Sequence, residues 1–354
     1  MIRIPRKPGA AVDGPLYVIL VAIIILMTIL NPGRFATMSN IESMLYQLPV
    51  LAFLSIGMMV TMLSGGINLA IVSTANFTGI VTALMLKLMT DGDSASASAT
   101  ITIIAMAVGF AGCLLVGAFM GYLVAYLEVP AILATLGVMM LLDGINVVLT
   151  GGYTLSDFPD SLMAIGNDSV FGLPIPFVML VVVIALMSVL LSRMPFGFKL
   201  YMLGSNPVSA RFSNINAYKV LMGSYILSAA FSGLTGIVMM GQFNSVKANY
   251  AQSYVLVTVL ACFLGRVDPF GGAGRLSSMV TGVVILQVIS SGLNLMRADP
   301  FFVTAMWGAI ILVLIVFTHF ESWFGELRRM AKATAVNSEH GNGGPGKDRP
   351  RPID

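Results

Sequence analysis

Apolar residues in this chain run on in long blocks rather than alternating with polar ones. A helix needs about 20 mostly apolar residues to cross the hydrocarbon core of a bilayer. Blocks of that order predict ten spans: 15–31, 45–63, 70–89, 101–127, 131–149, 173–192, 220–241, 254–265, 276–295 and 301–319. The eighth is too short to cross as a simple helix. It either extends back into 246–253 or is a broken helix buried in protein, where irregular backbone is tolerated. The expected fold is all-α, a polytopic membrane protein with about ten transmembrane helices, short or broken ones among them.

Composition sharpens the picture. The chain has 354 residues, 57% hydrophobic and only 10% charged, where a soluble domain carries about 25% charged residues. A membrane β-barrel would show alternation instead. The net charge of +3 is too small to suggest a nucleic-acid partner. Cys113 and Cys262 both fall in expected spans, so neither a disulfide framework nor a metal spacing is indicated. His319 and His340, at a span edge and in the tail, make a poor proton relay. Arg3, Arg6 and Lys7 precede the apolar run 16–30 as they would in a signal peptide. However, no small-x-small cleavage site follows directly, so the run reads as an uncleaved first span.

Where the charge sits gives the orientation. With the N-terminus inside and ten spans, fifteen of the 19 Lys and Arg residues fall on the inner side. Arg34, Lys87, Lys247 and Arg297 fall outside, the asymmetry expected of cytoplasmic loops. The outer segments 90–100 and 150–172 have acids but no Lys or Arg. The expected organisation is a cytoplasmic N-terminus at 1–14 and a membrane domain at 15–319 whose cytoplasmic loop is 193–219. An interfacial amphipathic stretch at 320–335 and a disordered cytoplasmic tail at 336–354 follow.

Four stretches carry candidate chemistry. The loop Met194–Lys219 has Lys199, Arg211 and Lys219 and no acid. In it, Asn206 followed by Pro207 reads as a capped helix start, with Asn214 placed to end the helix in a left-handed conformation. That suits either a docking element for a soluble partner or an ordinary basic loop. Ser64–Gly79 opens a span with Asn68, Ser73, Thr74, Asn76 and Thr78, residues that serve close helix packing or a polar path. Pro130–Gly152 places Asp143 well inside a span, with Asn146 three residues on along the same face. A carboxylate there calls for a cavity or a polar partner, so a solute path and an interhelical bond both stay open. Phe263–Ser278 is Gly-rich but lacks the G-x-x-x-x-G-K-[ST] pattern, and it reads as a tight turn between spans.

Taken together, SGGINLA, PAILATLGVMMLLDGINVVLTGG and MPFGFKLYMLGSNPVSARFSNINAYK resemble permease subunits of ribose-type ATP-binding-cassette importers, over about residues 45–319. FGGAGRL and the SGLNLM segment add to the likeness. The resemblance implies a bacterial inner-membrane subunit, not an enzyme, that imports a monosaccharide or similar small polar solute. Its implied partners are cytoplasmic ATP-binding subunits, which would hold the ATP and magnesium, a second permease chain and a periplasmic solute-binding protein. No cofactor is implied in this chain. It also implies that Asn206, Pro207, Ala210 and Arg211 form the helix that couples to the ATPase. Asn68, Asn76, Asp143 and Asn146 are the expected path or gate residues. Asn68 stands where that family usually has an acid, and Asp143 where it is often basic or neutral. These departures raise pairing with a different permease chain as well as with a second copy. The rival expectation is a secondary transporter driven by an ion gradient, for which the spans offer Asp143 as their one embedded acid.

Overall fold

The computed structural model of the chain describes residues 14–299 and 301–313. Two compact units divide the chain, 1–304 and 305–354; the second is described over 305–313, where it is helical. The N-terminal segment before residue 14, the amphipathic stretch 320–335, the tail 336–354, both histidines and the last span beyond Val313 lie outside the described residues.

The apolar blocks become α1 (Gly14–Leu30), α2 (Met38–Leu63), α3 (Ile71–Met89), α4 (Ala99–Ala125), α5 (Ala131–Thr150), α7 (Ile175–Arg193), α10 (Ala217–Phe243), α11 (Tyr254–Leu264), α12 (Leu276–Leu295) and α13 (Phe301–Val313). Among the described residues, seven of these are long and apolar enough to cross a membrane, and α1, α11 and α13 are shorter apolar helices. Each expected span thus has its helix. The main shift in boundary is at α2, which starts seven residues early because Thr37 accepts a hydrogen bond from the Asn40 N–H at 3.3 Å. A polar first turn can be helical once it is capped.

Three short helices lie in the connections: α6 (Asp160–Asn167), α8 (Pro195–Ser205) and α9 (Pro207–Phe212). Of these only α9 was expected. Pro195 at the first position of α8 and Pro159 just before α6 are ordinary helix-start signals. Strand β1 (Leu155–Ser156) pairs antiparallel with β4 (Ser245–Val246), and β2 (Ser169–Val170) pairs with β3 (Leu173–Pro174).

In the first unit, α2 is the central helix. Of its apolar window 72% is buried, against 22% for α7 and 28% for α4 and α5. Around it α3, α10 and α12 are also mostly buried. Small residues allow the backbones to meet: a methyl at Gly117 of α4 would fall 2.6 Å from Ala229 Cβ of α10. A methyl at Gly236 of α10 would collide with the Ala75 carbonyl of α3. Along α3 the hydroxyls of Thr74, Thr78 and Thr82 donate back to the carbonyls of Ala70, Thr74 and Thr78 at 2.8–2.9 Å. Those hydroxyls are satisfied within their own helix, so this part of the polar stretch serves packing.

The eighth span is a broken one. Helix α11 has 11 residues and covers about 16 Å, half the ~30 Å of a bilayer core. The segment before it is not an extension of the helix. After Asn244 (φ 47) the chain forms β4 and then turns through Ala251 (φ 52) before α11 begins.

Candidate functional site

The break creates a cavity. It has a volume of about 490 Å³ and is lined by Gln47 and Val50 of α2, Met239, Gln242 and Phe243 of α10, and Tyr250, Ala251 and Tyr254 at the start of the broken span. No lining residue is charged. Both amides are held in place. Gln47 accepts a hydrogen bond from Gln287 Nε2 of α12 at 3.2 Å, and Gln242 donates to the Tyr46 carbonyl at 2.7 Å. Among the described residues this leaves Gln47 with free N–H donors and Gln242 with a free carbonyl acceptor. Tyr250 stands edge-on to Phe243, with ring centroids 5.9 Å apart, and its hydroxyl lies 2.9 Å from Ser245 Oγ. Aromatic rings and oriented amides together suit a small ligand rich in hydroxyls.

The expected path residues fall in three places. Asn76 is nearest the cavity: its Nδ2 donates to the carbonyls of Ala248 and Tyr250 at 3.1 and 3.0 Å. It therefore anchors the segment that forms one wall without lining the cavity itself. Asn68 is fully buried in the non-helical turn before α3. Its Oδ1 accepts from the Ala70 N–H at 3.1 Å, and its Nδ2 donates to Ser228 Oγ of α10 at 2.9 Å. Asp143 and Asn146 do come together, on the α5 face toward α3. Ser73 Oγ donates to Asp143 Oδ1 at 2.7 Å, and Asn146 Nδ2 donates to the Ser73 carbonyl at 3.2 Å. Asn146 Oδ1 is buried with no donor among the described residues. Gln47, Gln242, Tyr250 and Tyr254 were not anticipated. For Tyr250 and Tyr254 the signal was present as aromatic positions beside the short eighth block, whereas Gln47 and Gln242 sit at the ends of other blocks.

A second feature lies at the other end of α10. Asn206 Oδ1 accepts from the Ser209 N–H at 3.0 Å and caps α9, with Pro207 at its first position. Asn214 at φ 57 turns the chain after it, and the Ile215 N–H returns to the Ala210 carbonyl at 3.1 Å. Ala210 is fully buried, while Arg211, Phe212 and Val208 face outward. Helix α10 has 27 residues, about 40 Å from end to end, and α9 and the cavity lie toward its opposite ends. Beneath α8 the Tyr201 hydroxyl donates to the Gly274 carbonyl at 2.9 Å. Burial pushes the Tyr201 phenol above its usual range, and the nearby Arg275 opposes that shift.

A bundle of membrane-length helices with one broken span, an uncharged cavity toward one face and a capped helix on the other defines a polytopic transport protein. The chain belongs to the family described as the permease component of branched-chain amino acid transport systems, which matches residues 40–319. It is similar to the ribose import permease RbsC of Haemophilus influenzae, 29% identical over 85% of this chain and 91% of that protein. It is also similar to the L-arabinose transport system permease AraH of Escherichia coli, 26% identical over 81% of this chain and 85% of that one. The galactose/methyl galactoside import permease MglC of Escherichia coli is 26% identical over 86% of this chain and 93% of its own length. Among solved structures, an inward-facing ABC transporter described as of the metal-chelate type matches with a TM-score of 0.51 at 16% identity. That match covers 88% of this chain and all of the other, a likeness of fold.

Proposed function

We propose that the chain is the membrane subunit of an ATP-driven importer for a neutral monosaccharide or a closely similar polyol. The observation that carries the solute class is the cavity beside α11. It offers oriented amide donors and acceptors next to aromatic rings, and no charge. A sugar hydroxyl both donates and accepts, and once stripped of water it needs such partners. A branched-chain amino acid would bring a carboxylate and an ammonium into a cavity with no counter-charge. The named sugars of the relatives support the same class.

In this reading the chain sits in a bacterial inner membrane with both termini in the cytoplasm, as the distribution of Lys and Arg favours. It pairs with a second permease chain, receives solute from a periplasmic binding protein and docks cytoplasmic ATP-binding subunits on α9. Asn206 and Pro207 start that helix, Ala210 seats it and Arg211 faces the partner. ATP and magnesium belong to those partners, and this chain contributes no hydrolytic step. Nucleotide binding draws the paired α9 helices together and shifts the population between outward- and inward-open states. Asn76 holds the wall of the cavity, Asn68 fixes the turn before α3, and Asp143 with Asn146 lie along the path between α3 and α5.

The test is uptake into proteoliposomes containing the permease and its ATP-binding subunits, with the solute-binding protein supplied outside and labelled pentoses, hexoses and leucine compared. ATP-dependent sugar uptake that falls at least tenfold in Gln242→Ala is expected. Leucine uptake in place of sugar would overturn the solute class. Uptake driven by a proton or sodium gradient without ATP would instead identify a secondary transporter.

A further inference from the structure

The cytoplasmic face assigned to α9 carries a second projecting feature, the loop between α11 and α12. Asp268 shapes its tip: the Asp268 N–H donates to the Ala273 carbonyl at 2.9 Å, and its Oδ1 accepts from the Phe270 N–H at 2.9 Å. Its carbonyl accepts from the Gly271 N–H at 3.1 Å. The closed tip turns the Phe270 ring outward, 87% exposed.

The tip is also locked to the rest of that face. The Gly272 N–H donates to the Leu63 carbonyl at the end of α2 at 3.0 Å, and Tyr201 of α8 bonds to Gly274. A methyl at Gly271 would fall 2.8 Å from Gly204 Cα of α8 and 2.9 Å from Gly65 N. One at Gly272, where φ is +77, would collide with Ser205 Cα. Backbone meets backbone at these points, and only Asn206 separates Ser205 from α9. Helix α9 and the loop tip thus form one continuous surface. It exposes Phe270, Phe212 and Val208, with Arg211 and Arg266 also exposed on these segments and Lys199 on the neighbouring α8.

We propose that this tip is a second contact for the ATP-binding subunit, with Phe270 as its anchor; the proposal rests on the docking role of α9. A scattered exposed aromatic means little. Here the ring is held by a fixed backbone, so binding pays little ordering cost, and an anchoring aromatic beside Arg is the composition of an interface hot spot. The cations call for a partner whose apolar pocket has an acidic rim. The contact also has consequences, because the loop leads directly out of α11, whose first residue, Tyr254, lines the cavity. A partner that grips both α9 and the tip therefore holds the cavity wall as well as the end of α10.

The test uses the full chain in lipid nanodiscs and the ATP-binding subunit that copurifies with it, recognised by its own phosphate-binding loop. Phe270→Ala should weaken their association about tenfold or more without lowering the thermal midpoint of the permease, because the ring is exposed. The Phe270→Trp variant, made in a chain whose native Trp307 and Trp323 are replaced by Phe, should shift its emission to the blue when the subunit is added and should not be quenched by brominated lipid beforehand. If Arg211→Glu abolishes association and Phe270→Ala leaves it at the wild-type level, this proposal falls and the docking role of α9 stands. If neither variant weakens association, both fall. Quenching of the Phe270→Trp variant by brominated lipid without the subunit would make the ring a membrane anchor and overturn the proposal.

Discussion

Both amide hydrogens of Asn76 are spent on carbonyls 172 and 174 positions further along the chain. No apolar residue can replace them. Asn76→Leu keeps the volume but leaves the Ala248 and Tyr250 carbonyls without their donor inside the protein, at about 1–3 kcal/mol for each unpaired buried group. The expected result is a thermal midpoint several degrees lower in detergent and a raised KM for uptake, with kcat less affected, because the cavity wall is displaced while the docking face is untouched. Asn76 was legible in the sequence as a polar residue inside an apolar block, as were Asn68, Asp143 and Asn146. Gln47 and Gln242 were not, because each lies in the outer part of a span, where a polar side chain is unremarkable. They become a site only because the chain re-enters between them, and no local pattern reports where a distant segment returns.

Local chemistry does specify the small element α9. Asn206 caps it, Pro207 fits its first turn and Asn214 ends it, and each of these is readable in the sequence. An element written this locally should also fail locally. Asn214→Val forces a β-branched residue into the left-handed region, which costs about 1–2 kcal/mol, whereas Asn214→Gly fits it. Limited proteolysis in the 206–216 loop should rise in the valine variant and stay at the wild-type level in the glycine variant. Arg211→Glu leaves the fold intact, because the side chain is exposed, yet reverses the charge offered to the partner. Membrane levels should be normal and ATP-dependent uptake reduced at least tenfold; uptake at the wild-type rate would remove α9 from the coupling path. Helix α8 was not legible although Pro195 marks its start, because its apolar residues are too few for a span and they sit within a basic loop. The break at α11 was legible as a span too short to cross. The strand pairing of Ser245 with Ser156 was not, since both segments lack strand periodicity and meet only through tertiary contact.

At the scale of the whole molecule, burial divides the helices into an inner set and an outer set, and Asp143 stands on the outer one. Helix α5 is only 28% buried along its apolar window, and Leu133, Met140, Leu141 and Val148 face away from the first unit. One oxygen of Asp143 is held by Ser73, but the residue as a whole is partly exposed. Facing lipid, an ionised carboxylate at this depth would cost about 2.5–3.5 kcal/mol on insertion scales. That cost is avoided if the neighbouring surface of α5 borders water or a second permease chain. The two settings predict opposite outcomes. Were Asp143 turned to lipid, Asp143→Leu would raise the thermal midpoint and leave transport unchanged. On a solute path or at a subunit junction, Asp143→Leu should cut uptake several-fold at normal membrane levels, while Asp143→Asn, which can still accept from Ser73, should retain most of it. Thiol labelling makes the choice independent of activity. The native Cys113 and Cys262 are buried, so a membrane-impermeant maleimide should leave the unmodified chain unlabelled. Asp143→Cys should react with the same reagent in the nucleotide state that opens the path outward and be protected in the other state.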